Sequence, residues 1–214
     1  QWEPNASVII DTGARSVTTL SDTAMDLQIT PQAEVDRNGD YQENSFTAPL
    51  TVPFEFTQED GQWRISVTNP GIVLERLRFN QVFSSHALYF YDPTYTYLVP
   101  DLRWFSKAET TSTRIVKALL AGPSPWLGQG AVVTAFPDGT EAAPVVVSSG
   151  RAQVNLSSQV LQNAQALQRM QYQLEKSLGT VASVASVQIT VNQNAVLIPP
   201  GSASQPITDP RVDS

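Results

Sequence analysis

Cysteine is absent from the 214-residue sequence, and histidine occurs once, at position 86. Without cysteine there is no disulfide framework, no thiolate metal site and no cysteine nucleophile. With one imidazole and no thiol, a zinc site has too few of its usual ligands. Long apolar runs are also missing: no stretch approaches the roughly 18 residues of a membrane span. The opening residues, QWEPNASV, lack the basic and apolar regions of a signal peptide, so the segment is expected to be soluble as given. Charge is sparse, at 15% of residues against 41% hydrophobic, which describes a globular chain rather than a disordered one. Positive charge is spread evenly, whereas acid is concentrated at the start. Residues 1 to 80 hold 12 acids and 5 bases, while residues 81 to 214 hold 8 of each, so the net charge of −7 sits in the first part. Such a chain has no electrostatic footprint for nucleic acid or anionic lipid, and neither is expected as a partner.

What is present is organised by turns. Over residues 1–70, runs rich in Val, Ile, Thr, Phe and Tyr (SVIID, Ala24 to Val35, YQENSFTAPLTVPFEF, WRISV) alternate with turn signals. RNGD at 37–40 and EDGQ at 59–62 carry Asn-Gly and Asp-Gly, whose residues tolerate positive φ. This predicts an antiparallel β-meander with no long helix over residues 1–80. From His86 the order changes. ALYFYD and YLVPDLRWFS read as strands around the turn DPTYT, with Pro100 marking an edge or bulge. TSTRIVKALLAGP reads as a helix capped by Thr111 or Ser112, with Ile115, Val116, Leu119 and Leu120 on one face and Gly122-Pro123 as its stop. PVVVSSG and RAQVNLS form a hairpin. A second helix follows, capped by Ser157 or Ser158, with Val160, Ala164, Leu167, Gln171, Leu174 and Leu178 on successive turns. SVQITVN and AVLIP close the pattern. Residues 81–198 are therefore expected to form an α+β domain of hairpins with two helices packed on one sheet face. Residues 199–214 read as a linker or unpaired tail.

The candidate chemistry is thin. AGPSPWLGQG (121–130) has glycines but no Lys-Ser or Lys-Thr, and it follows the C-terminus of a helix, where the dipole repels anions. A phosphate cradle is disfavoured. Trp126, in the middle of this loop, is expected to bury its ring where the helix exits, the prolines stiffening the turn; the rival role is an exposed anchor for a partner. DRNGD (Asp36 to Asp40) lacks the alternating ligands of a calcium loop and reads as a hairpin turn. Glu59 and Asp60 are adjacent in a turn, which does not place two carboxylates across a cleft. His86 has no nucleophile motif around it and no G-x-S-x-G is present, so a structural role is expected. Rings accumulate from Tyr89 to Phe105, and a strand presents alternate residues to opposite faces, so one row of them could face outward.

Taken in order, LYFYDPTYTYLVPDLRWF, RIVKALLAGPSPWL, VVTAFPDGT, the V-N-L-S of AQVNLS, and VQITV resemble a GerMN domain. WEPNASVII and DGQWRIS resemble the strand portion of the NTF2-like region that precedes GerMN in the actinobacterial lipoprotein family LpqB. The lipidated cysteine, the opening helices of the NTF2-like region and the C-terminal β-propeller of that family are not among these residues, so the chain is expected to be an internal fragment of a longer lipoprotein. The resemblance implies an extracytoplasmic accessory protein, held at the membrane by a lipid anchor outside this segment. It further implies a role in the MtrA–MtrB two-component system, acting on the external region of the histidine kinase MtrB, with effects on cell division and the cell wall. It implies no enzymatic activity and no cofactor. The partner-binding surface is left open, with Trp104 and Trp126 as candidates. The alternative is a module binding cell-wall glycan or peptide.

Overall fold

The computed structural model describes residues 2–44, 48–128, 130–198 and 211–212. It divides into two compact units, Gln1–Ser84 and Ser85–Ser214.

The first unit is built on a long hairpin, β1 (Ser7–Ser21) and β2 (Ala24–Asp36), paired from Ser21↔Ala24 to Ser7↔Asp36. A bulge between Asp11 and Arg15 interrupts the register. There the buried Asp11 carboxylate folds back to accept from the Gly13 amide and from Arg15 Nε at 2.7 Å, which satisfies a charge the strand would otherwise bury alone. The 37–40 turn joins β2 to β3 (Tyr41–Glu43), with Asp36 Oδ1 accepting from the Asn38 and Asp40 amides. The strand expected across YQENSFTAPLTVPFEF is thus two pieces, β3 and β4 (Leu50–Glu59), and residues 45–47 between them lie outside the described residues. Asp60 and Gly61, both at positive φ, turn β4 into β5 (Gln62–Thr68) as their sequence predicts. Two features depart from a plain meander. β6 (Ile72–Glu75) pairs with β1 in parallel, giving the order β5-β4-β2-β1-β6, and a short helix α1 (Arg76–Val82) follows it. Phe79 of that helix is buried and stacks on Phe83 at 4.8 Å. At the far edge Trp63, Ile65 and Val67 stand exposed along β5; a bulge between Ile65 and Val67 breaks the alternation, so Trp63 and Ile65 share the face of Phe56 while Val67 lies on the face of Glu55. A groove of about 500 Å³ lies on this unit, lined by apolar side chains that include Leu27, Phe54 and Ile65.

The second unit keeps the hairpin–helix order. β7 (Phe83–Tyr91) and β8 (Tyr97–Ser106) lead to α2 (Thr111–Ala121); β9 (Val146–Ser148) and β10 (Arg151–Leu156) lead to α3 (Ala164–Leu178); β11 (Ser186–Val191) and β12 (Asn194–Ala195) close it. The strands fall into two sheets. In one the order is β12-β11-β10-β9, with β10 and β11 parallel because α3 crosses over between them. In the other, β8 is flanked by β7 and by β13 (Arg211–Val212). The tail expected to be unpaired therefore pairs at those two residues; the other residues from Pro199 on lie outside the described residues.

Leu88, Phe90, Leu98, Ile115, Leu119, Met170, Leu174, Leu178 and Ile189 are fully buried in one core. Both helix starts differ from expectation. At α2 the N-cap is Thr110, without a side-chain bond, while Thr111 bonds the Ser106 and Ala108 carbonyls. Ahead of α3, Ser158–Gln162 forms a 3-10 segment, and Asn163 is the cap, its side chain accepting from the Gln165 and Ala166 amides. That break shifts the helical phase, so the buried seam of α3 runs Leu167, Met170, Leu174, Leu178 and leaves Ala164 exposed. Gln173 and Ser177 share the seam and bond to β7: Gln173 Nε2 donates to Tyr89 O at 2.8 Å, and Ser177 Oγ accepts from Tyr89 N at 3.0 Å.

Candidate functional site

The loop after α2 is held from below by charge. Asp101 and Arg103 are spaced two apart on β8 and so point the same way, into the interior. They are 0% and 1% exposed and form an ion pair at 2.8 Å. Asp101 also accepts from the Ser124 amide at 2.8 Å and from Ser124 Oγ at 2.7 Å, while Arg103 Nη2 donates to Gly122 O at 3.2 Å. Carboxylate and guanidinium between them thus grip the chain at Gly122 and Ser124. Gly122 makes the exit possible: it sits at φ 102, ψ 180, a region essentially closed to residues with a Cβ. Its amide closes the helix onto Ala118 O and Leu119 O. Pro123 and Pro125 limit the remaining freedom, and Pro125–Leu127 forms one 3-10 turn whose bonds run back to Ser124 and Pro125.

This turn decides the tryptophan, and against expectation. Leu127 packs on the core, whereas Trp126 is 69% exposed. The ring is not a core cap, because the clamp at Ser124 orients the turn so that the next apolar side chain, Leu127, takes the inward position. Trp104, the other candidate, is half-buried on the face of β8 opposite Asp101 and Arg103, beside the exposed Leu102. Asp101, Arg103 and Ser124 were not singled out from the sequence. The signal was an Asp-x-Arg alternation inside an otherwise apolar strand.

His86 is buried, its ring tilted against Phe105 at 6.2 Å and its Nδ1 3.1 Å from Thr180 Oγ1. Thr180 gives its own proton to Ser177 O, so its oxygen is left to accept from the imidazole and the hydroxyl is not activated as a nucleophile. Burial holds the imidazole pKa below its ordinary value, with the Thr180 contact opposing in part. Among the described residues no three His, Asp or Glu side chains group as metal ligands. Glu59 and Asp60 occupy their exposed turn.

Most of the aromatic strip is absorbed by the fold. Phe90, Tyr91 and Phe105 are buried. Tyr91 donates to Arg169 O at 3.1 Å, and burial pushes its phenol pKa up. The Tyr95 ring is covered by the Arg169 guanidinium at 3.8 Å. Desolvation is the largest single influence on the Asp92 pKa and raises it, but Asp92 accepts from the Thr94 hydroxyl and the Tyr97, Thr94 and Thr96 amides, and these bonds together outweigh it and hold the pKa at about 2.

Comparison with known proteins bears on both units. Residues 87–196 match the family described as Germane, sporulation and spore germination, and residues 1–80 match the N-terminal domain of lipoprotein LpqB. A lipoprotein LpqB of Cutibacterium acnes is 27% identical over 214 residues, covering 97% of this chain and 35% of the relative. One from Thermobifida fusca is 36% identical over 130 residues, covering 58% of this chain and 20% of the relative. The chain therefore spans about a third or less of the length of these relatives. Among solved structures, the first GerMN domain of the Bacillus subtilis sporulation protein GerM superposes with a TM-score of 0.45 at 22% identity, over 60% of this chain and 96% of that one. Among the described residues no helix is long and apolar enough to cross a membrane. The chain belongs to the LpqB lipoprotein family and carries its N-terminal domain followed by a GerMN domain.

Proposed function

We propose that this chain is a non-catalytic interaction module of a membrane-anchored, extracytoplasmic lipoprotein, and that it modulates an MtrA–MtrB-type two-component system by contacting the external domain of the sensor kinase. One observation carries the non-catalytic part. The single side chain suited to proton transfer near neutral pH, His86, is buried and hydrogen-bonded to a threonine whose proton is already engaged. The names of the relatives support the lipid anchor. An interaction role also accords with large apolar side chains left in solvent on each unit, Trp63, Ile65 and Val67 on the first and Trp126 on the second. The glycan alternative asks for an open row of rings, and the strip from Tyr89 to Phe105 is largely buried or covered by Arg169. The test is a pull-down with the purified external domain of the kinase, alongside insoluble peptidoglycan. Retention by the kinase domain and not by peptidoglycan is expected; the opposite result replaces this function with the glycan one.

A further inference from the structure

We infer that Trp126 is a pre-positioned anchor that inserts its indole into an uncharged apolar pocket on a protein partner, an inference that rests on the interaction function proposed above. Three observations converge on it. The ring is 69% exposed, although an indole carries one of the largest apolar surfaces a side chain can bury. The segment presenting it is rigid by construction: Gly122 and Ser124 are gripped by Asp101 and Arg103, Pro123 and Pro125 restrict φ, and a 3-10 turn closes over Pro125–Leu127. Burying a charge pair is a poor way to gain stability, but it is an effective way to fix a loop in one place. A side chain whose surroundings are already ordered loses less entropy on binding. Leu127 seats the same turn on the core, so Trp126 projects from a fixed base.

The partner's chemistry follows from what surrounds the ring. No charged side chain occurs between Lys117 and Asp138. A strongly acidic or basic surface would find no counter-charge along this segment. Ser124, the polar side chain nearest to the ring in sequence, is buried and committed to Asp101, so it is not open to a sugar hydroxyl. A neutral, desolvated pocket of indole size fits, and exposed tryptophans are over-represented among residues that dominate such contacts.

The experiment is a calorimetric titration of the chain with the purified external domain of the kinase, using wild type, Trp126→Ala and Trp126→Phe, with thermal denaturation of each. Sedimentation of the wild type alone is run beside it. Expected results are an affinity loss of about 100-fold or more for Trp126→Ala and about tenfold for Trp126→Phe, with melting temperatures unchanged. Asp101→Asn, which loosens the grip on Ser124 but leaves the ring in place, is expected to weaken binding by a slower association step. If wild type and Trp126→Ala bind equally, the anchor is refuted while the proposed function stands. If the wild type does not bind the kinase domain, the proposed function fails, and with it the occupant assigned here. Self-association that disappears in Trp126→Ala would make a second copy the occupant and overturn the inference. A lowered melting temperature would return the ring to a structural role.

Discussion

Replacing Asp101 by alanine separates the clamp from the strand that carries it. The substitution removes one carboxylate and four hydrogen bonds at once: from Arg103 Nε at 3.1 Å and Nη2 at 2.8 Å, and from the Ser124 amide at 2.8 Å and hydroxyl at 2.7 Å. The guanidinium it leaves behind is 1% exposed, so its charge is left away from bulk water. Breaking a buried pair by deleting one partner costs about 3–5 kcal/mol. For a unit of this size each kcal/mol moves the melting temperature by roughly 3–5 °C, so a fall on the order of 10–20 °C is expected. Leu102→Ala is the control. It sits on the same strand, faces solvent, and should change stability by no more than about 0.5 kcal/mol. Differential scanning calorimetry reads the stability, and amide hydrogen exchange over residues 118–128 reads the loop. The two should fall together, with faster exchange at Ser124 in the Asp101 variant. An Asp101→Ala protein that melts within a few degrees of wild type, with Ser124 still protected, would show that the loop is held by other contacts and would remove the clamp from the account.

Two further outcomes follow from the same structure. The His86 pKa is lowered by burial, so on acidification the unfolded chain takes up the proton before the folded one. The stability this provides is present above the unfolded value near 6.5 and is lost as pH falls through the lower folded value. Urea midpoints should therefore drop between pH 7.5 and 5.5 in wild type and lose that slope in His86→Phe; a flat wild-type profile would contradict it. On the first unit, exposed Trp63, Ile65 and Val67 should bind the dye ANS. Changing Trp63 and Ile65, which share one face of β5, to lysine should suppress that signal without lowering the melting temperature, and persistent dye binding would place the apolar surface elsewhere.

What could be read from the sequence was local. Asp60-Gly61 had to turn because both tolerate positive φ. The span of α2 followed from the spacing of Ile115, Val116 and Leu119 and from the stop at Gly122. Non-local features could not be read in this way. The parallel pairing of β6 with β1 joins residues far apart in the chain. The cap at Asn163 competes with two equally good serines just before it, and the 3-10 segment between them decides. Trp126 was misplaced for the same reason. Two neighbouring apolar residues in a turn leave no periodicity to say which points inward, and the choice rests on Asp101, 23 residues upstream of Ser124.

The bonds from Gln173 and Ser177 to Tyr89 have a consequence for how the protein meets other chains. β7 is the outer strand of its sheet, and such strands invite another chain to add on. Here a helix offers an amide and a hydroxyl where a neighbouring strand would offer a backbone, and Val133 exchanges both of its main-chain bonds with Tyr91. At Tyr89 and Tyr91 the border is therefore shut to intruders, and growth of this sheet has a single direction left, along β8, where Arg211–Val212 already lies. The second unit is thus guarded at this edge against fusing with other chains through its backbone.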